Sequence, residues 1–158
     1  MEGNMQIKKV GIIGAGTMGA GIAAHLANAN IPVLLLDRVT PALAPEGAND
    51  STARNRLVTT LFERMANGRP VQLGRPERAT LITLGNTEDD FDQLAECDWV
   101  IEVIIERLEP KQELMARLED VCKPEAIISS NTSGIPIGHI AANRTAAFRQ
   151  RILGTHIF

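Results

Sequence analysis

Short apolar runs alternate with segments of helical periodicity along the 158 residues of the chain. Six runs of strand length predict strands over Val10–Ile13, Ile31–Asp37, Ala79–Leu84, Trp99–Ile105, Ala126–Ser130 and Arg151–His156. Apolar residues at helical spacing predict helices over Thr17–Ala29, Thr52–Asn67 and Pro110–Val121, with short ones around Phe91–Cys97 and Pro136–Ala142. This alternation indicates an α/β fold, a doubly wound and mainly parallel sheet with helices on both faces.

A glycine-rich turn follows the first predicted strand, with Gly14, Gly16 and Gly19 in the pattern G-x-G-x-x-G. In a dinucleotide-binding βαβ unit the first glycine permits a tight turn, the second lets backbone approach a pyrophosphate, and the third lets the helix pack close to the strand. Thr17 and Met18 begin that helix, whose N-terminus offers free N–H groups to phosphates. We therefore predict a Rossmann-type nucleotide site here, in preference to an ordinary glycine turn.

A carboxylate closes the second predicted strand. Asp37 stands about 20 residues past the glycines, where an acid that binds the adenosine ribose belongs. It would accept hydrogen bonds from the ribose hydroxyls and repel a 2′-phosphate, which favours NAD over NADP. Arg38 could instead accommodate such a phosphate, and we interpret it as stacking on the adenine or lying in solvent.

Composition narrows the possible partners. A net charge of −3 argues against a general nucleic-acid binder. No apolar run reaches the length of a membrane span, and the N-terminus lacks a signal-peptide pattern. Cys97 and Cys122 are expected to be buried free thiols, which fits a reducing cytoplasm, and no metal site is predicted. The length suits one domain over residues 8–158 after a flexible leader at residues 1–7.

Polar residues follow several other predicted strands. Glu106, the run Asn131–Ser133 and His156 stand at strand ends, and ligands of doubly wound sheets bind outside the carboxyl ends of the strands. Taken singly, Asn131 and Ser133 could cap a turn or the short helix after it, and His156 could be a strand-end histidine with a backbone partner. Their shared location instead favours a site.

Six arginines are grouped between residues 54 and 78, where the acids are Glu63 and Glu77. They are Arg54, Arg56, Arg64, Arg69, Arg75 and Arg78. Such a group usually forms a solvated face, which we favour, although it could also receive the anionic tail of a ligand.

Three segments, Trp99–Lys111, Ser129–Ser133 and Gly154–Phe158, together with the glycine turn closely resemble the NAD-binding domain of the 3-hydroxyacyl-CoA dehydrogenases of fatty-acid β-oxidation. The stretch Leu84–Asp90 is most similar to the large bacterial members of this family. The resemblance covers nearly the whole chain. One departure is Ile157, which stands where the family has Phe. The resemblance implies an NAD-dependent oxidation of a 3-hydroxyacyl-CoA to the 3-ketoacyl-CoA.

The resemblance also implies roles for individual residues. His156 matches the catalytic histidine and Ser133 the active-site serine. Glu106 and Lys111 match residues that line the nicotinamide side of the cofactor, and Asn131 borders the cofactor. Histidine suits this chemistry, because its near-neutral pKa lets it accept the hydroxyl proton while hydride leaves to the nicotinamide. The second predicted helix, Thr52–Asn67, which carries some of the arginines, corresponds to the region that meets the CoA tail in relatives.

In the family, a carboxylate, an asparagine and a helical substrate and dimerisation domain follow the histidine. We expect these to be absent from a chain that ends at Phe158, so that it binds cofactor with little turnover and self-associates around Ile152–Phe158. Two alternatives remain open. One is a non-catalytic nucleotide-binding module, and the other is a different NAD(P)-dependent hydroxyacid dehydrogenase.

Overall fold

A single sheet of six parallel strands organises the computed structural model, which describes residues 6–41 and 43–157. The strands are β1 (Val10–Ile13), β2 (Val33–Asp37), β3 (Ile82–Asn86), β4 (Trp99–Glu102), β5 (Ile127–Ser130) and β6 (Ile152–Gly154). Their spatial order is β3-β2-β1-β4-β5-β6, and every neighbouring pair is parallel. The order reverses between β1 and β4, which is the arrangement of the Rossmann fold. The predicted fold class is confirmed.

Within the described residues, six helices connect and flank the strands. They are α1 (Thr17–Asn28), α2 (Ser51–Arg54), α3 (Arg56–Ala66), α4 (Leu108–Val121), α5 (Ile137–Ile140) and α6 (Ala146–Arg149), with 3₁₀ turns at Pro45–Gly47, Pro76–Leu81 and Phe91–Glu96. Among the described residues, no helix combines the length and the apolar character needed to span a membrane.

Alternation along the strands builds one core on each face of the sheet. In β1, Val10 and Ile12 pack on the face covered by α1 and α3, whereas Ile13 packs on the face covered by α4. Both cores are buried, which explains why the central strands are apolar at nearly every position. The sheet thus holds the carboxyl ends of its strands in a fixed relation to one another.

Several predicted boundaries were wrong. The second predicted helix is divided at Asn55, and Asp50 caps its first part by accepting a hydrogen bond of 3.0 Å from the backbone N–H of Thr52. The third strand begins at Ile82, because the apolar residues just before it belong to a 3₁₀ turn that Pro76 starts. Helix α6 was not predicted. It is capped by Thr145, whose hydroxyl accepts from the N–H of Phe148.

Two further corrections move the candidate site. Strand β4 ends at Glu102 and β6 ends at Gly154, so Glu106 and His156 lie in the segments that follow the strands. Ser133 does not cap the short helix, because α5 begins only at Ile137. Of the predicted leader, residues 1–5 lie outside the described residues, as does Phe158 at the other end.

Candidate cofactor and active site

The glycine turn is shaped by close contacts between backbone segments. Gly14 has φ +108°, and a Cβ atom there would lie 2.3 Å from the carbonyl oxygen of Val103. At Gly19, in the first turn of α1, a Cβ would lie 1.7 Å from the carbonyl oxygen of Gly14. The position of Gly16 differs, because no heavy atom outside its own neighbourhood comes within 4 Å of a Cβ there. Two glycines therefore form the turn, and the third leaves its outer surface open to a ligand.

Asp37 ties the turn to the end of β2. Its Oδ2 accepts a hydrogen bond of 2.6 Å from the N–H of Ala15, and its Oδ1 accepts one of 2.8 Å from the N–H of Arg38. A carboxylate has about four lone-pair sites, so Asp37 retains acceptors for the hydroxyls of a ribose. Beside it, the exposed side chains of Thr17 and Met18 begin α1 next to the open surface of Gly16.

A cleft of about 490 Å³ lies beside this turn, between the ends of β1, β2 and β4. Its wall includes Gly14, Gly16, Asp37 and Arg38, which the sequence predicted, and other residues that it did not. The unpredicted residues include Thr87, Ile104, Ile105, Glu113 and Arg117. The guanidinium of Arg117 lies 3.8 Å from the centre of the Phe91 ring and donates to the carbonyl of Thr87 at 2.6 Å. The exposed Ile105 adds an apolar edge, which suits a flat base.

Glu106 organises the turn that carries Ser133. Its Oε1 accepts hydrogen bonds of 3.1 Å from the N–H groups of both Ser133 and Gly134, and a further one from the hydroxyl of Thr132. Partial burial opposes ionisation of Glu106, but the hydrogen bonds from Thr132 and Gly134 and the ammonium of Lys111 outweigh it and lower its pKa to about 2. The carboxylate is thus charged across the physiological range.

A second carboxylate, Glu102, lies beneath Glu106 and was not predicted. It is fully buried at the end of β4, opposite Ser130 of β5 in the sheet register. Lys111 of α4, also fully buried, donates to Glu102 at 2.6 Å and lies 3.3 Å from the carboxylate of Glu106. The N–H of Ile104 at 2.7 Å and the hydroxyl of Ser130 complete the donors to Glu102. The only signal in the sequence was an acid inside an otherwise apolar strand.

Asn131 fastens the segment that carries His156. Its side chain accepts a hydrogen bond of 2.8 Å from the N–H of Ile157 and donates one of 3.2 Å to the carbonyl of the same residue. His156 itself is exposed, and it lines a surface cleft of about 420 Å³ together with Thr132 and Ser133. The structure therefore brings the predicted histidine and serine to one cleft, at the ends of β5 and β6.

The arginine group divides in the structure. Arg54 is held by ion pairs with Asp89 at 2.6 Å and Glu88 at 2.9 Å, so it braces the protein surface. Arg64 and Arg69 instead line a cleft of about 220 Å³ that includes Gly16 and Thr17. Part of the group thus lies beside the glycine turn.

Both cysteines are buried free thiols, as expected. Burial raises the pKa of Cys97 to about 12 and that of Cys122 to about 11, which makes both thiols poor nucleophiles. Among the described residues, no group of three or more His, Cys, Asp or Glu side chains could hold a metal ion.

Residues 9–158 match the family model of the 3-hydroxyacyl-CoA dehydrogenase NAD-binding domain. A probable 3-hydroxyacyl-CoA dehydrogenase of Deinococcus radiodurans is 48% identical over 98% of this chain and 42% of that protein. The human peroxisomal bifunctional enzyme is 32% identical over 96% of this chain and 19% of its own length. The crystal structure of 3-hydroxybutyryl-CoA dehydrogenase from Escherichia coli K12 superimposes with a TM-score of 0.68 at 34% identity, covering 97% of this chain and 30% of the other.

The chain spans less than half the length of these relatives. The match nevertheless covers the glycine turn, the two carboxylates and the serine and histidine segments in the order in which they occur here. The resemblance seen in the motifs is confirmed: the chain belongs to the family of NAD-binding domains of 3-hydroxyacyl-CoA dehydrogenases.

Proposed function

We propose that residues 8–158 form the cofactor-binding domain of an enzyme that oxidises the 3-hydroxyl of an acyl-CoA to a ketone and transfers the hydride to NAD. The observation that carries the proposal is the convergence of an open glycine turn, Asp37, Ser133 and His156 at the carboxyl edge of one parallel sheet, in a chain of this family. The names of its relatives give the same reaction class.

The cofactor fits the residues at the ends of β1 and β2, which form the first part of this edge. The open surface of Gly16 and the start of α1 would receive the pyrophosphate, which needs backbone N–H groups and space for close approach. Asp37 would accept from the ribose hydroxyls, and the cleft of about 490 Å³ would hold the adenine beside Arg38. The negative charge of Asp37 disfavours a 2′-phosphate, so we propose NAD rather than NADP.

The second part of this edge consists of the segments that follow β4, β5 and β6, and its side chains would accept and donate the proton of the reaction. When bound, NAD accepts the hydride that leaves the substrate carbon. The imidazole of His156 would take the hydroxyl proton as the carbon–oxygen single bond becomes a carbonyl. The hydroxyl of Ser133 would donate to the same oxygen and orient it. Glu106 fixes the backbone of that serine, and Asn131 fixes the segment that carries the histidine.

Cofactor choice is tested by thermal shift of the 158-residue chain with NAD and with NADP. A ligand at a hundredfold excess over its Kd stabilises the folded state by about 2.7 kcal/mol. We expect the larger shift with NAD, and we expect Asp37→Ala to narrow the difference, because the ribose acceptor and the repulsive charge are both removed. An equal or larger shift with NADP in the unsubstituted chain would contradict the assignment of Asp37.

The reaction is tested by following NADH formation from a 3-hydroxyacyl-CoA. The 158-residue chain is assayed beside the complete reading frame that encodes it, and we expect the isolated chain to bind NAD with little turnover. In the active form, His156→Ala should abolish turnover and leave the Kd for NAD nearly unchanged, because the phosphate and ribose contacts remain. An active form that keeps near-normal turnover without His156 would overturn its role. An inactive complete protein would overturn the enzyme proposal.

Self-association of the 158-residue chain is proposed through β6. This strand stands at one end of the strand order, and the side chain of Leu153 within it is exposed. An open strand edge with an apolar side chain can pair with a second copy. We expect light scattering to detect dimers that Leu153→Lys weakens, whereas a strict monomer at high concentration would contradict this.

The buried free thiols support a reducing, cytoplasmic compartment.

A further inference from the structure

One carboxylate–lysine–carboxylate group crosses the second part of the carboxyl edge. We call Glu102, Lys111 and Glu106 the charge cluster, because the ammonium of Lys111 lies between the two carboxylates, at 2.6 Å from Glu102 and 3.3 Å from Glu106. Glu102 and Lys111 are fully buried, whereas the side chain of Glu106 is 42% exposed. The charge cluster therefore extends from the protein interior to the surface at the end of β4.

Its net charge follows from the donors around it. Glu102 receives hydrogen bonds from Lys111, the N–H of Ile104 and the hydroxyl of Ser130, which are the partners that an ionised carboxylate needs when buried. Glu106 is ionised as well, since its pKa is lowered to about 2. Two carboxylates and one ammonium leave one net negative charge, and that charge is only partly in contact with water.

The location of this charge relates it to one end of the cofactor. A dinucleotide binds across the crevice where the strand order reverses, with one mononucleotide on each half of the sheet. The glycine turn and Asp37 belong to the β1–β2 half and account for the adenosine end. The charge cluster belongs to the β4–β5 half, so we expect it to lie on the side of the nicotinamide. The nicotinamide ring carries a positive charge in NAD⁺ and none in NADH.

We propose that the charge cluster biases the bound dinucleotide toward its oxidised form, because one net negative charge stabilises the cationic nicotinamide and has little effect on the neutral one. Glu102 is in this view a positioning residue, since it acts through Lys111 and sets the charge that reaches Glu106. The inference rests on the proposed function, because it requires that the domain bind NAD.

The test measures the Kd of the 158-residue chain for NAD⁺ and for NADH by calorimetry. Glu102→Gln and Glu106→Gln each change the net charge of the charge cluster from −1 to zero. We expect both to lower the ratio of Kd(NADH) to Kd(NAD⁺) by about three- to tenfold, the range for one charge acting over several ångströms in a partly solvated site. A buried ammonium left with one carboxylate partner could prevent Glu102→Gln from folding, and Glu106→Gln then decides the question alone.

Two matched variants separate charge from contact and from position. Glu106→Asp keeps the charge but shortens the side chain that holds Ser133 and Gly134, so the ratio should stay near that of the unsubstituted chain. Glu125→Gln makes the same acid-to-amide change in an exposed residue just before β5, at the opposite edge of the sheet, and should leave the ratio unchanged.

An unaltered ratio in Glu106→Gln, with both forms still bound, would overturn the inference and leave the proposed function intact. So would a fall in Glu106→Asp equal to that in Glu106→Gln, since the contacts rather than the charge would then be responsible. If the unsubstituted chain bound neither NAD⁺ nor NADH, the proposed function and this inference would both fail.

Discussion

The two halves of the carboxyl edge make their sites from different groups. At the ends of β1 and β2, backbone forms the site: Gly14 and Gly19 bring chain segments into contact, and Asp37 holds the turn through the N–H of Ala15. At the ends of β4 and β5, charged side chains do so, with Glu102 and Lys111 fully buried. The first half has no room for a side chain at Gly14 or Gly19, whereas the second depends on charges that are paired away from water.

The largest expected effect concerns the backbone half. Gly19→Ala should cost about 4 kcal/mol or more, or prevent folding, because the added Cβ would lie 1.7 Å from the carbonyl oxygen of Gly14. Helix propensity alone would favour alanine at this position by up to about 1 kcal/mol, so the contact and the propensity act in opposite directions. Urea unfolding measures the difference.

Gly16→Ala is the matched control in the same turn. A Cβ at Gly16 meets no heavy atom within 4 Å, so the free energy of unfolding should change by less than about 0.5 kcal/mol. If the two glycine variants lost equal stability, the distinction between turn-forming and ligand-facing glycines would be wrong.

In the charged half, Lys111→Met should destabilise the domain by about 3 to 5 kcal/mol, because it leaves the buried Glu102 without its counter-charge. The control is Lys9→Met, which removes the partner of Glu96. That carboxylate is 69% exposed, and such surface pairs contribute about 0 to 1 kcal/mol. Unfolding in urea at neutral pH compares them, and similar losses in the two variants would show that the burial of the Lys111 pair has no energetic consequence.

The residues of the first half could be predicted from the sequence, whereas the buried charges of the second half could not. Only glycine satisfies the contacts at Gly14 and Gly19, so a short local pattern was sufficient to predict the turn and the acid at the end of β2. Glu102 depends on the register that sets it opposite Ser130 and on a lysine nine residues later along the chain, and neither relation is visible in a local pattern.

Boundaries failed where local and tertiary preferences compete. The residues before Ile82 are apolar enough for a strand, but Pro76 begins a 3₁₀ turn that carries them. Strand β4 stops at Glu102 although the apolar run continues through Ile105, because its two neighbours in the sheet end opposite Glu102, β1 at Ile13 and β5 at Ser130. Apolarity predicted that these residues are near the core, and strand pairing decided which of them belong to the sheet.

The smallest expected effect is the acid dependence of the charged half. The pKa of Glu106 is about 2 in the folded domain and 4.5 ordinarily, so the unfolded chain takes up the proton first as the pH falls. The stabilisation from this carboxylate is complete above about pH 4.5 and is lost as the pH falls toward 2. Unfolding free energies should therefore decline less steeply across this window in Glu106→Gln than in the unsubstituted domain.

Above pH 5 the difference in stability between Glu106→Gln and the unsubstituted domain should stay constant, since the carboxylate is then ionised in both the folded and the unfolded state. Identical acid profiles for the two proteins would contradict the interaction of Glu106 with Thr132, Gly134 and Lys111.

Cofactor binding through the open glycine is tested most directly by calorimetric titration of NAD⁺ into the 158-residue chain and into Gly16→Ala. The unsubstituted chain should bind one NAD⁺ per molecule. Gly16→Ala should keep its unfolding free energy and lose at least about tenfold in affinity, because its added Cβ occupies the surface that a pyrophosphate approaches. Equal affinity in the two proteins, or no binding by the unsubstituted chain, would contradict the assignment of this turn as the phosphate site.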